Sequence, residues 1–273
     1  MTASGLPQGS LGDPLRAPPG RLWERNLRKF AFLLIFVRVG TAFFLFPGFS
    51  SQQVSMRLRL TISVAISFLL TPVLMDVLPK YPDSPWTLAV LIVGEVLAGA
   101  ILGTVALIVF SAMQVAGTVI SYVSAMANAM AFDPISQQQS AIVSGFLSTT
   151  AMLLLFVTDL HHLLLQSLID SYSLFKVGNV PDLGDASELI VRHVSGSFKL
   201  GVQLAAPFLV VSIVYNLALG LMTRLAPQIP VFFVALPFQL VVSVVVLMLV
   251  IPGIMLGFID HFRDGYMPFL ATN

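Results

Sequence analysis

The 273-residue chain contains no cysteine and few charged residues. The absence of cysteine excludes disulfides, thiolate metal ligands and cysteine nucleophiles. Lys, Arg, Asp and Glu make up 10% of the residues, whereas they make up about 25% of a typical soluble domain. The net charge of +1 provides no polybasic region, so nothing favours a nucleic-acid partner. The chain has too little polar surface for a soluble globular domain of this length.

Catalytic motifs are also absent. There is no Walker motif, dinucleotide fingerprint or HExxH zinc motif. The strings nearest to intramembrane-protease motifs are His193-Val194-Ser195-Gly196 and Asp182-Leu183-Gly184-Asp185, and neither has the required pattern. The chain is therefore interpreted as a non-enzyme without a cofactor or metal.

Long apolar runs dominate the sequence, and 57% of its residues are hydrophobic. A helix needs about 20 apolar residues to cross the hydrocarbon core of a membrane. The pattern predicts an all-α, polytopic membrane protein with six or seven hydrophobic helices. Several are broken by prolines, and a polar loop is expected at 170–192. The runs cover 30–46, 60–78, 86–113, a small-residue stretch at 114–132, 141–169, 194–222 and 231–259. The third run and the small-residue stretch form either one hairpin or two separate helices.

The N-terminal end of the chain is polar. Residues 1–29 are predicted to be a disordered extension whose basic flank, which includes Arg28 and Lys29, anchors the chain at the membrane surface. Residues 30–265 are predicted to be the membrane domain, followed by a tail at 266–273.

Three charged residues fall inside apolar runs, namely Arg38, Glu95 and Asp159. A charge at mid-bilayer costs about 2.5–3.5 kcal/mol on insertion scales, so such residues usually have a partner or line a polar cavity. Arg38 and Glu95 either pair with each other or meet different partners, including partners in another subunit. Asp159 precedes His161 and His162. Adjacent residues on a helix point about 100° apart, so these two histidines are not expected to bind one metal in the usual i, i+4 manner. A proton relay is an alternative, but structural histidines are the favoured interpretation.

Two pairs of glycines have the GxxxG spacing, Gly99 with Gly103 and Gly253 with Gly257. This spacing places both glycines on one helix face, where another helix can approach closely. The prediction is helix packing, and packing within one chain is favoured over dimerisation.

The segment before Ser140 alternates small residues with methionine and ends in an Asp-Pro turn and a glutamine run. Methionine is flexible and fills irregular gaps, so this segment is able to seal a conduit. A plain connector between helices is the competing interpretation, and composition alone slightly favours it.

An ordered set of strings resembles the FliR/SctT family of type III export-gate proteins, from about Phe30 to Arg263. The strings include Arg38-Val39-Gly40, Arg57-Leu58-Arg59-Leu60, Gly94-Glu95-Val96-Leu97-Ala98-Gly99, Phe132-Asp133-Pro134 and Ala226-Pro227-Gln228. The resemblance implies a subunit of the type III export gate in the bacterial inner membrane, at the flagellar basal body. It also implies a helical assembly with FliP-like and FliQ-like gate subunits and an FlhB-like switch protein, through which unfolded flagellar proteins pass. The resemblance further implies that the Asp-Pro segment is a plug that closes the pore, formed by Met126, Asn128, Met130, Phe132, Asp133 and Pro134.

Other functions fit some of the same features. An injectisome export-gate subunit of the SctT type shares the motifs. A secondary transporter of small solutes would explain broken helices and mid-membrane charges, but it predicts an internal repeat, and the two halves show none. An accessory membrane scaffold without a pore is a further alternative.

Overall fold

The computed structural model describes residues 21–50, 54–75, 77–79, 81–82, 84–124, 141–178, 181–225 and 231–270. Within these ranges the protein is helical and contains no strand, which confirms the all-α prediction. The helices are α1 (Arg21–Leu45), α2 (Met56–Leu74), α3 (Pro85–Val123), α4 (Ala141–Val157), α5 (Leu160–Leu174), α6 (Leu183–Leu225) and α7 (Val231–Tyr266), followed by one 3₁₀ turn (Met267–Phe269).

Local sequence signals explain several helix ends. The Ser55 hydroxyl accepts a hydrogen bond from the Leu58 N–H and begins α2, and the Ser84 hydroxyl accepts one from the Trp86 N–H at the start of α3. Pro85 follows at the first helical position, where its missing N–H costs nothing. At the end of α1, the chain turns through Gly48, which has a φ of +91° that favours glycine.

Helix α3 lies at the centre of the molecule and contacts α1, α4, α6 and α7. It is one continuous helix of 39 residues, so neither a hairpin nor two separate helices forms there. Small side chains do not stop a helix by themselves, and here they allow neighbours to approach. The central part of α3 supplies much of the core through Leu102, Val105, Ala106, Val109 and Met113, all fully buried.

The run at 141–169 is two helices, α4 and α5, that meet at an angle of 72°. Asp159 makes the break with a φ of +58°, the only positive φ of a non-glycine residue in the described part of the chain. The predicted polar loop at 170–192 is also shorter than expected. Helix α5 continues to Leu174, and α6 already begins at Leu183. The described residues therefore form seven α-helices because two of the predicted runs merge and one divides.

Four described helices are long and apolar enough to cross a membrane: α2, α3, α6 and the greater part of α7. The bent pair α4–α5 makes a fifth if it crosses as one broken span. Within their most apolar windows, 61% of α3 is buried but only 17% of each of α2, α6 and α7. The protein is a polytopic membrane protein in which one span is largely covered and three present apolar surface to their surroundings.

Candidate functional site

The candidate site lies where α1 crosses α3, and glycine makes the crossing close. A Cβ placed on Gly99 would lie 2.5 Å from the carbonyl oxygen of Arg38, and one placed on Gly103 would collide with the side chain of Leu45. The GxxxG pair on α3 therefore faces α1 of the same chain. This close approach brings the side chains of Arg38 and Glu95 into the same buried space.

The structure joins these two charges directly. The Nε of Arg38 donates to Oε2 of Glu95 at 2.7 Å, and Nη2 donates to Oε1 at 2.9 Å. Both residues are 1% exposed. Two parallel N–H···O bonds of this kind are the strongest and most directional form of ion pair that side chains make.

Helix α5 and the residue that follows it, Phe175, complete the site with three further contacts to the same guanidinium. Nη1 of Arg38 donates to the Ser171 hydroxyl at 3.2 Å, and Nη2 donates to the carbonyl oxygen of Phe175 at 3.0 Å. The guanidinium carbon lies 3.9 Å from the centroid of the Tyr172 ring, within cation–π distance. We name Arg38, Glu95, Ser171, Tyr172 and Phe175 the charge cluster.

The charge cluster holds three helices together and is not accessible to a substrate. A charge taken out of water is costly unless partners satisfy it, and Arg38 has a carboxylate, a hydroxyl, a carbonyl and an aromatic face. No group in the described part of the cluster is placed to attack or protonate an external molecule. Its chemical role is to fix α1 against α3 and α5 with a geometry that apolar packing does not specify.

Two polar contacts fasten α7 to α3. The Tyr266 hydroxyl donates to the carbonyl oxygen of Leu102 at 2.8 Å, and the Gln239 amide donates to that of Val123 at 3.0 Å. Neither contact has a signal in the sequence, since each partner is a backbone carbonyl far away in the chain. The contact of Tyr172 with Arg38 has no sequence signal either, because nothing distinguishes this tyrosine from others near apolar runs.

Asp159 lies at the break between α4 and α5 and is not inside a continuous helix. Its side chain is 74% exposed and its Oδ1 lies 3.5 Å from Nδ1 of His162. Ligand atoms of Asp159, His161 and His162 lie within 4.8 Å of one another, although the two histidines are neighbours in the first turn of α5. The ring centroids of the two histidines are 4.2 Å apart, and structural histidines stay the prediction. Exposed acidic groups are common without a metal, and the ring of His161 also contacts that of Phe156, with the centroids 5.3 Å apart.

Replacing Asp159 tests the origin of the break. An L-residue in the left-handed region costs about 1–2 kcal/mol, and Asp and Asn tolerate this region better than branched residues do. We expect Asp159→Val to lower the thermal unfolding midpoint of the purified protein, while Asp159→Gly leaves it unchanged or raises it. A Val variant as stable as the wild type would show that the left-handed turn does not hold this break.

The second glycine pair differs from the first. A Cβ on Gly257 would meet Leu204 of α6 at 3.2 Å, whereas one on Gly253 would meet no described atom within 4 Å. Packing at Gly253 thus stays a prediction. The predicted plug, Met126, Asn128, Met130, Phe132, Asp133 and Pro134, lies outside the described residues, between the end of α3 and the start of α4.

Comparison with known proteins gives a consistent result. The family described as bacterial export proteins, family 1, matches residues 30–265. The flagellar biosynthetic protein FliR of Caulobacter vibrioides is 34% identical over 231 residues, which cover 85% of this chain and 92% of that protein. FliR of Bacillus subtilis is 30% identical over 224 residues, covering 80% and 84%, and FliR of Escherichia coli K12 is 27% identical over 247 residues, covering 90% and 92%.

Proposed function

Since the chain belongs to the family of bacterial export proteins, family 1, we propose that it is a subunit of the flagellar type III export gate. Its similarity to proteins named FliR extends over most of the chain and most of each relative. These names favour the flagellar role over the injectisome role, and nothing supports a small-solute transporter. The proposed location is the bacterial inner membrane, at the flagellar basal body.

The observation that carries this proposal beyond similarity is the uneven burial of the spans. Helix α3 is covered by its own chain, but α6 exposes large apolar side chains along its length, among them Phe198, Val210, Ile213 and Leu217. On α7, Phe238, Met248 and Leu249 are exposed in the same way. Such faces require lipid or other apolar helices against them. A gate subunit whose neighbours cover these faces satisfies the requirement.

The neighbours that we propose are FliP-like and FliQ-like gate subunits, packed with this chain in a helical assembly, together with an FlhB-like switch protein. The cargo is unfolded flagellar protein. This role requires no covalent chemistry, and we propose that the chain is not an enzyme. The charge cluster supports such a role, because a wall that resists a moving polypeptide needs helices held in fixed positions.

We further propose that the segment 126–134 closes the pore at rest. Its methionines and small residues make a deformable apolar constriction, which blocks ions by excluding water and yields to a passing chain. Its position supports this, because it follows directly from α3, the central helix, and leads into α4. The seal is preferred to the connector for that reason and for the family resemblance.

Co-purification tests the gate assignment. The tagged chain, expressed from its own locus, should retain FliP-like and FliQ-like proteins through size-exclusion chromatography in mild detergent. Its deletion should abolish export of flagellar filament protein while leaving injectisome secretion, where present, unchanged. A chain that purifies alone and whose deletion leaves motility intact would contradict the proposal.

Replacing residues 126–140 with a Gly/Ser linker of equal length should make the gate leak ions. The reason is that a linker without apolar side chains cannot keep water out of a constriction. The measurement is ion conductance of bilayers containing the purified gate, with assembly checked by co-purification. A matched control removes 15 residues, 2–16, from the polar N-terminal extension. Equal conductance of the linker variant and the wild type, with assembly intact, would refute the seal.

A further inference from the structure

A groove of about 910 Å³ lies between α1 and α2, separate from the charge cluster. Its walls are mainly apolar and include Phe32, Phe68, Pro72 and Met75. The polar side chain of Thr71 also lines it, but its hydroxyl donates to the carbonyl oxygen of Ser67 at 2.7 Å. The volume lies within the range of pockets that hold small apolar ligands, about 300–1,000 Å³.

Two cations stand at the mouth of this groove. Arg28 and Lys29 are part of its lining and are exposed. Neither forms an ion pair with a side chain that the structure describes. A groove with apolar walls and two adjacent cations at one end is complementary to a ligand that has an apolar tail and an anionic head group.

The orientation of the groove agrees with that of a lipid. Helix α2 is one of the candidate membrane spans, and Met75 follows directly on its last residue. The groove is lined by residues near the start of α1 and by residues near the end of α2, so the two cations lie at the same end as Met75. The end of a span lies near the headgroup region, so the cations meet phosphates and the apolar walls continue into the hydrocarbon layer.

Proline adds a backbone acceptor to this wall. Pro72 has no N–H, so the carbonyl of Phe68, one turn earlier, receives no helix hydrogen bond from that position. Phe68 is itself 72% exposed and lines the groove. The exposed Phe68 ring therefore adds to the apolar wall of the groove.

From these observations we propose that the groove between α1 and α2 binds one anionic phospholipid, with an acyl chain along Phe32, Phe68 and Met75 and its phosphate at Arg28 and Lys29. A purely apolar helix would leave both cations without a counter-charge, and a zwitterionic lipid would cancel much of the attraction. This site goes beyond the export-gate role and depends only on the chain being in a membrane.

The test measures lipid retention on the purified full-length chain by native mass spectrometry. The chain in nonionic detergent is offered equal amounts of phosphatidylglycerol and phosphatidylcholine with identical acyl chains. A cation near a membrane phosphate is worth about fivefold in binding, so two cations should favour phosphatidylglycerol roughly 25-fold. The variant R28Q/K29Q should lose this preference. The matched variant R57Q/R224Q, which removes the same charge elsewhere, should keep it.

Further variants test the binding of the acyl chain separately from the binding of the phosphate. Met75→Trp narrows the groove and should reduce retention of both lipids, with circular dichroism showing that the helices remain. If that variant does not fold, Phe68→Ala replaces it and should have the same direction of effect. An excess of soluble glycerol phosphate should not displace the bound lipid. Equal retention of the two lipids by the wild type, equal loss in both double variants, or displacement by glycerol phosphate would each overturn the proposal.

Discussion

Replacing Glu95 with Gln is expected to lower the free energy of unfolding of the protein by about 3–5 kcal/mol. The change preserves the size of the side chain but leaves the guanidinium of Arg38 buried without its carboxylate. The hydroxyl of Ser171 and the carbonyl of Phe175 remain as acceptors, but they are neutral. The measurement is the unfolding midpoint of the purified protein in detergent, together with the amount that accumulates in the membrane.

The chain contains a matched control for this change. Glu188 pairs with Arg192 at 2.9 Å on α6, but the two side chains are 72% and 78% exposed. An exposed i, i+4 pair contributes about 0.3–0.5 kcal/mol, so Glu188→Gln should have almost no effect. If the two Gln variants have equal stability, the charge cluster does not hold the fold.

The double variant R38M/E95M shows whether the fold needs the ion pair itself or only needs to avoid an unpaired buried charge. Replacing a whole buried pair with apolar residues is often neutral, while removing one partner is not. We therefore expect the double variant to be more stable than Glu95→Gln. If the double variant is stable but still exports poorly, the loss of export is due to the helix positions that the charge cluster fixes.

Replacing Gly117 with Ala is expected to have the second large effect. A Cβ at this position would overlap the backbone and the Cβ of Ser144, so α3 and α4 would have to move apart. Overpacking typically costs about 1–3 kcal/mol, and here the obstacle is backbone, which cannot change rotamer. The unfolding midpoint should fall accordingly, and export should fall with it.

Gly145 provides the control on the neighbouring residue of α4. A Cβ at Gly145 would meet nothing within 4 Å, and both glycines lie inside helices. Both substitutions therefore gain the same helix propensity, about 0.5–1 kcal/mol. Gly145→Ala should be neutral or stabilising, and the difference between the two variants is due to packing. A Gly117→Ala variant that matches Gly145→Ala would mean that the two helices do not approach so closely.

The fold class was predictable because apolar runs of span length leave few alternatives. The charges of Arg38 and Glu95 were identifiable as residues that need partners, since charge inside an apolar run is costly. Their direct pairing was one of two alternatives in the sequence. The contacts from Ser171, Tyr172 and Phe175 were not predictable, because they depend on how α5 is directed after the break at Asp159.

That break has no strong sequence signal. Neither glycine nor proline occurs near it, and Asp is only moderately favoured at a positive φ. The continuity of α3 is hard to predict because its sequence signal is misleading. Its many small residues are typical of a weak helix, but in the structure they allow neighbouring helices to pack closely, as Gly117 does for α4.

The order of synthesis determines how long Arg38 remains without its partners in the charge cluster. Arg38 leaves the ribosome 57 residues before Glu95 and 133 residues before Ser171. At about 5–20 residues per second, the cation waits roughly 3–11 s for its carboxylate. During that interval α1 contains an arginine that the hydrocarbon layer does not accept without a partner. The first helix is therefore expected to settle in the membrane only together with the third, as a single insertion event.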